Sequence, residues 1–141
     1  MATVNSFNIP IEITQASTGM AQAVLFEIAE YLQDLAENGQ RHVIDLSSLP
    51  MSDVDKQELE TLLGTGEVRI TLQTIGESSI HETRYSGVWW IKHYNPERQL
   101  LSELLEIARI PEIVQSHPED IRQSAQDIRI YTQTQPTGNE L

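Results

Sequence analysis

Cysteine is absent from the 141 residues. Disulfides, thiolate nucleophiles, iron–sulfur ligation through cysteine and cysteine-type zinc sites are therefore excluded, and with them several enzyme classes. Cationic side chains are scarce: nine Lys and Arg stand against 21 Asp and Glu, a net charge of −12. Such a chain repels phosphate backbones and anionic membranes at long range, so neither nucleic acid nor a membrane is an expected partner. The acidity serves solubility, or attraction to a basic protein surface. No stretch approaches the ~20 apolar residues needed to cross a bilayer, and the first ten residues lack a basic region followed by an apolar run. The expectation is a soluble cytoplasmic protein.

What is present is organised around residues 64–94. Val68, Ile70 and Leu72 alternate with Arg69, Thr71 and Gln73, the period of a half-buried strand. A Gly-containing turn at Ile75–Ser78 leads to a second alternating run, Ile80–Tyr85, and Ser86-Gly87 to a third, Val88–Tyr94, stopped by Asn95-Pro96. Adjacent Trp89 and Trp90 must leave a strand on opposite faces, so at most one enters a single core. The other, with Tyr85 or Tyr94 near it, would form an exposed aromatic surface of the kind that anchors partners, unless the helical cover hides both.

Ala21, Leu25, Ile28, Leu32 and Leu35 recur at helical spacing and predict a helix from about Thr18 to Asn38, with Asn38-Gly39 as its stop. Glu27, Glu30, Asp34 and Glu37 form the opposite stripe, either a solvated face or a docking strip for a basic surface. His42–Leu46 reads as extended. Ser52 as cap, with a carboxylate three residues on, predicts a second helix over Asp53–Leu63, ended by Gly64. Leu100, Leu101, Leu104, Leu105 and Ala108 predict a third from about Glu97. Ser116–Pro118 opens a fourth, fading near Ile128 or Ile130 into a frayed tail over 131–141. A short extended candidate, Phe7–Ile13, is interrupted by Pro10. The expected architecture is one α+β domain over 1–130: a small antiparallel sheet of three strands, or four, with about four helices mainly on one face.

Catalytic patterns are few. His42, His81, His93 and His117 show no metal-binding spacing. Gly64-Thr65-Gly66 follows a helix and precedes a strand, the reverse of the order in which amides of a helix N-terminus cradle phosphate. An enzymatic alternative would gather His81, His93, Glu82 and Arg84 in a pocket on the sheet face, with the two histidines meeting across the hairpin. A further alternative is a homodimeric scaffold paired through the edge of the third strand.

Four segments carry a family resemblance: Val43–Pro50, then Leu62-Leu63-Gly64-Thr65-Gly66-Glu67-Val68, then Glu82–Trp90 with its Gly87-Val88-Trp89-Trp90, and Ile110–Ile113. Over roughly 42–121 the sequence resembles the conserved domain of the HupH/HyaF family of hydrogenase expression proteins. The resemblance implies a non-catalytic, cofactor-free accessory protein, a chaperone in the maturation of nickel–iron uptake hydrogenases. It implies binding of the hydrogenase small subunit while its iron–sulfur clusters are assembled. Longer members of that family carry an additional N-terminal region. If the resemblance holds, the partner surface draws on Glu67, Arg84, Tyr85, Trp89 and Trp90. Gly64, Gly66 and Gly87 then serve as structural turn residues that place them.

Overall fold

A computed structural model describes residues 16–135. The chain divides into two compact units with their boundary between Pro111 and Glu112. In the first, helix α1 (Met20–Asn38) is followed by strand β1 (His42–Asp45) and a single 3₁₀ turn at Leu46–Ser48. Helix α2 (Asp53–Leu63) and strands β2 (Arg69–Gln73), β3 (Glu77–Glu82), β4 (Val88–Tyr94) and β5 (Leu100–Ile107) complete it. The sheet is antiparallel throughout, in the order β1-β5-β4-β3-β2. The second unit holds a 3₁₀ turn at Glu112–Val114 and helix α3 (Pro118–Thr134).

The α+β class and the antiparallel sheet agree with the sequence reading, but the sheet has five strands rather than three or four. There are three α-helices among the described residues rather than about four. One segment accounts for the missing helix and for the fifth strand. Residues 100–107, expected as a helix, form the strand between β1 and β4. Their leucines do satisfy helical spacing, but a helix would leave Glu103 and Glu106 to solvent. In the strand Glu103, Leu105 and Ile107 share one face, paired with Lys92, Trp90 and Val88, and both glutamates are buried with cationic partners. Pairing with two neighbours and satisfied buried acids outweigh a modest helical preference. The proline at 96, expected as a stop, lies in the tight turn that joins β4 to β5. The second hairpin strand also begins earlier than expected, at Glu77 rather than Ile80, because the turn occupies Thr74–Gly76, where the Thr74 N–H donates to the Gly76 carbonyl.

One face of the sheet makes the core. Ile44, Val88, Trp90, Leu105 and Ile107 pack with Ala21, Val24 and Ile28 of α1 and Leu59 and Leu63 of α2. Each Val, Leu or Ile among them contributes roughly 1.5–3 kcal/mol on burial. Ile80, Trp89 and Ile91, on the other face by register, are also buried. The helix ends follow local chemistry. Gly39 takes a left-handed conformation (φ 69°) and returns its N–H to the Leu35 carbonyl, as the Asn38-Gly39 stop predicts. Ser52 and Asp55 form a reciprocal capping box at the start of α2.

In the second unit α3 starts on His117, with Pro118 in its first turn and Glu119 and Asp120 at its positive end. The cap is His117 rather than Ser116. The helix runs through Thr134, past the expected fade at Ile130. The extended candidate Phe7–Ile13 and residues 136–141 lie outside the described residues.

Candidate interaction surface

At one end of the sheet the α2–β2 connection and the β3–β4 loop are laced together by their backbones. The Arg84 N–H donates to the Leu63 carbonyl at 3.0 Å, the Gly66 N–H to the Glu82 carbonyl at 2.7 Å, and the Glu82 N–H to the Val68 carbonyl at 2.9 Å. This closeness dictates the glycine at 66. A Cβ there would lie 2.5 Å from the Thr83 carbonyl oxygen, inside van der Waals contact with backbone that cannot swing away. Gly87 adopts φ 91°, with its N–H on the Glu82 carboxylate at 3.2 Å and its carbonyl accepting the Ala108 N–H at 3.0 Å. Gly64 likewise has a positive φ, and its Cα faces the Arg84 stem. The backbone is thus constrained at all three glycines.

The β3–β4 loop is further fixed by buried Thr83, whose hydroxyl bridges the N–H and the carbonyl of Tyr85, each at 3.2 Å. On this support Arg84 and Tyr85 project outward together. The guanidinium carbon lies 5.3 Å from the Tyr85 ring centroid, and Nη2 donates to the phenol oxygen at 3.3 Å. Tyr85 is 45% exposed, and Glu67, one residue after the constrained Gly66, is exposed as well. A cation stacked on an aromatic ring, presented by an ordered backbone, offers both apolar area and directed donors at little entropic cost.

The tryptophans behave otherwise. Trp89 is 4% exposed and Trp90 is 1% exposed, so the expectation that one of them lines an open aromatic surface is corrected. They do leave β4 on opposite faces, but each face is covered. The Trp89 indole N–H donates to the Ala108 carbonyl at 3.0 Å and that of Trp90 to Glu103 Oε2 at 2.7 Å. Their contribution to any surface is to hold β4 and hence the 83–87 loop.

The residues of the enzymatic alternative are not brought together. His81 pairs with Trp90 and stacks on it at 6.3 Å, whereas His93 pairs with Ser78, its Nδ1 2.7 Å from the hydroxyl. By register the two imidazoles lie on opposite faces of the sheet and do not meet across the hairpin. Burial, and then the charges of Arg69 and Lys92, lower the His81 pKa. Glu82 is engaged with Gly87, and Arg84 with Tyr85. Among the described residues no cluster of three or more His, Cys, Asp or Glu is arranged to hold a metal, and no helix is long and apolar enough to cross a membrane. The expected dimer edge is also unavailable, because β4 has a strand on each side.

Two buried acids carry more than their sequence positions suggest. Glu103 takes the Trp90 indole N–H and lies 3.0 Å from Lys56 Nζ and 3.8 Å from Lys92 Nζ, joining α2 to the sheet. Asp55, expected only as a capping acid, also accepts the Thr18 N–H at 2.7 Å and the Thr18 hydroxyl at 2.5 Å, tying the segment before α1 to α2. A signal for Glu103 does exist in the sequence: an acid inside a leucine-rich run is costly unless it is paired.

Comparison with known proteins places this architecture. The C-terminal conserved region of the HupH hydrogenase expression protein matches residues 19–134, wider at both ends than the resemblance carried by the motifs. A hydrogenase expression/formation protein HupQ of Azotobacter chroococcum is 34% identical over 111 residues, covering 77% of this chain and 39% of that protein. The hydrogenase-1 operon protein HyaF of Escherichia coli is 38% identical over 89 residues, 63% of this chain and 31% of its own length. The chain therefore spans well under half the length of these two relatives. The solved structure of a hydrogenase expression protein HupH from Thiobacillus denitrificans superposes with a TM-score of 0.79 at 38% identity, covering 85% of this chain and all of that one.

Proposed function

The chain belongs to the HupH hydrogenase expression protein family, and from that membership we propose that it is an accessory chaperone in the maturation of a nickel–iron uptake hydrogenase. In this reading it works in the cytoplasm without cofactor or catalysis, and binds the hydrogenase small subunit while iron–sulfur clusters are assembled on it. The observation that carries the reading to particular residues is the exposed Arg84–Tyr85 pair on the laced end of the sheet. With Glu67 beside the same junction, it offers a rigid anchor of mixed apolar and charged character. The absence of cysteine fits a protein that attends to cluster assembly on its partner without holding a cluster itself. The acid stripe of α1, with Glu27, Glu30 and Glu37 exposed and no cation anywhere on the helix, would add long-range attraction to a basic partner.

The test is co-purification of the chain with the small-subunit precursor, titrated against salt and repeated with Arg84→Ala and Tyr85→Ala. A complex that weakens with either change supports the reading. No complex under any salt condition, or one indifferent to both changes, rejects it.

A further inference from the structure

At the opposite end of the same sheet, the β2–β3 and β4–β5 turns close on one another and leave a groove of about 510 Å³. Gly76 shows how close they come: a Cβ there would stand 2.0 Å from the Tyr94 carbonyl oxygen. The groove is lined by Gln73, Glu77, Ser79, Tyr94 and Arg98 among others, and its volume is that of a small-ligand or short-peptide site.

Arg98 is the unusual member. Asn95 and Gln99 close the β4–β5 turn by backbone and side-chain hydrogen bonds, leaving a three-residue loop whose last position is residue 98. That position is left-handed, and glycine is the residue suited to it. Here it is arginine at φ 65°, the one non-glycine residue with positive φ among the described residues. The guanidinium has no hydrogen-bond or ion-pair partner among them, and Glu77 in the same groove has no ion-pair partner either. An arginine at this glycine position makes no side-chain hydrogen bond or ion pair within the described residues that would offset its backbone strain.

We propose that this groove binds a peptide segment bearing a single carboxylate, with the Arg98 guanidinium as its anion contact. The planar fork of arginine suits a carboxylate. Glu77, and a net charge of −12 over the chain, select against densely anionic ligands. What remains favourable is one carboxylate among uncharged amides, beside the uncharged polar residues Gln73, Ser79 and Tyr94 that line the groove.

The experiment follows backbone amide shifts of the full nitrogen-15-labelled chain during titration with three acetylated alanine tetrapeptides. One ends in a free carboxylate, one is amidated with a single internal aspartate, and one is amidated and neutral. Saturable shifts at Gly76, Ser79 and Arg98 are expected with a carboxylate peptide and at least about tenfold weaker with the neutral one, a difference of about 1.4 kcal/mol. Whichever carboxylate peptide binds more tightly identifies the source as a chain terminus or an acidic side chain. Arg98→Gly is expected to weaken binding by about tenfold or more while leaving the melting temperature equal or higher. Arg98→Lys, which keeps the charge and loses the fork, should fall between. Shifts that are absent or lie elsewhere, equal binding of the neutral peptide, or binding retained in Arg98→Gly would overturn the proposal. A melting temperature lowered by more than about 3 °C in Arg98→Gly would also overturn it, making Arg98 a structural residue.

Discussion

Trp89 and Trp90 are consecutive and both buried, yet their indoles lie on opposite faces of β4 and donate to acceptors on different parts of the chain, the Ala108 carbonyl and the Glu103 carboxylate. The pair therefore fixes β4 from both sides at once. Truncating either should destabilise the fold by about 3–5 kcal/mol, the usual cost of removing a large buried aromatic. Trp90→Ala should be the worse, since it also strips a donor from a buried carboxylate. Urea unfolding of each variant measures this. A loss of under about 1 kcal/mol for either would mean that its burial does not hold in solution.

Arg84→Ala and Tyr85→Ala should leave stability within about 0.5 kcal/mol, because both side chains project from a loop held by backbone bonds and by Thr83. Gly66→Ala should behave in the opposite way. Its new Cβ meets the Thr83 carbonyl oxygen at 2.5 Å, and overpacking of this kind costs about 1–3 kcal/mol. Melting curves for the three variants separate surface residues from the residue that positions them.

Asp55 makes stability depend on acid. Hydrogen bonds from Thr18, its hydroxyl foremost, and from Ser52 outweigh burial and hold its pKa down to about 2, below the ~3.9 of an unfolded chain. A depressed folded pKa means that folding favours the ionised form. The resulting stability is complete above about pH 4 and is lost as pH falls through about 2. Asp55→Asn should thus be less stable than the parent near neutral pH, with the gap closing toward pH ~2. Denaturant midpoints across that window give the result, and a gap independent of pH would show that the carboxylate's charge is not what Thr18 and Ser52 recognise.

Glu103 on β5 ties α2 and β4 together from a buried position. Glu103→Ala leaves Lys56 and Lys92 without their shared carboxylate and the Trp90 indole without its acceptor. Breaking a buried pair from one side costs about 3–5 kcal/mol. Glu103→Gln keeps the acceptor and should cost less. Equal losses would assign the effect to charge alone.

What is legible in the sequence follows strong local signals. α1 and α2 announce themselves through apolar period, a capping box and terminal glycines, and four segments taken together, the most specific around Gly64–Val68 and Gly87–Trp90, carry the family resemblance. β5 is hidden because leucines at 100, 101, 104 and 105, with Ala108, fit a helical stripe. What overrides that stripe is tertiary: Glu103 needs lysines brought from α2 and β4, and no local window contains them. The tryptophans mislead for a related reason. Alternation fixes that they diverge, but whether the second face is covered depends on the whole fold. Nothing local sets His81 and His93 on one surface, and the register of a single hairpin separates them. Arg98 stays out of sight because a left-handed backbone leaves no trace when the residue is not glycine.

The most direct test of Arg84 and Tyr85 as the partner anchor is calorimetric titration of the chain with the hydrogenase small-subunit precursor, alongside the double variant Arg84→Ala/Tyr85→Ala. Saturable binding by the parent and a loss of at least about 2 kcal/mol in the double variant, with its melting temperature unchanged, is the predicted result for a central anchor. Equal binding by parent and double variant, or no binding by either, would contradict it.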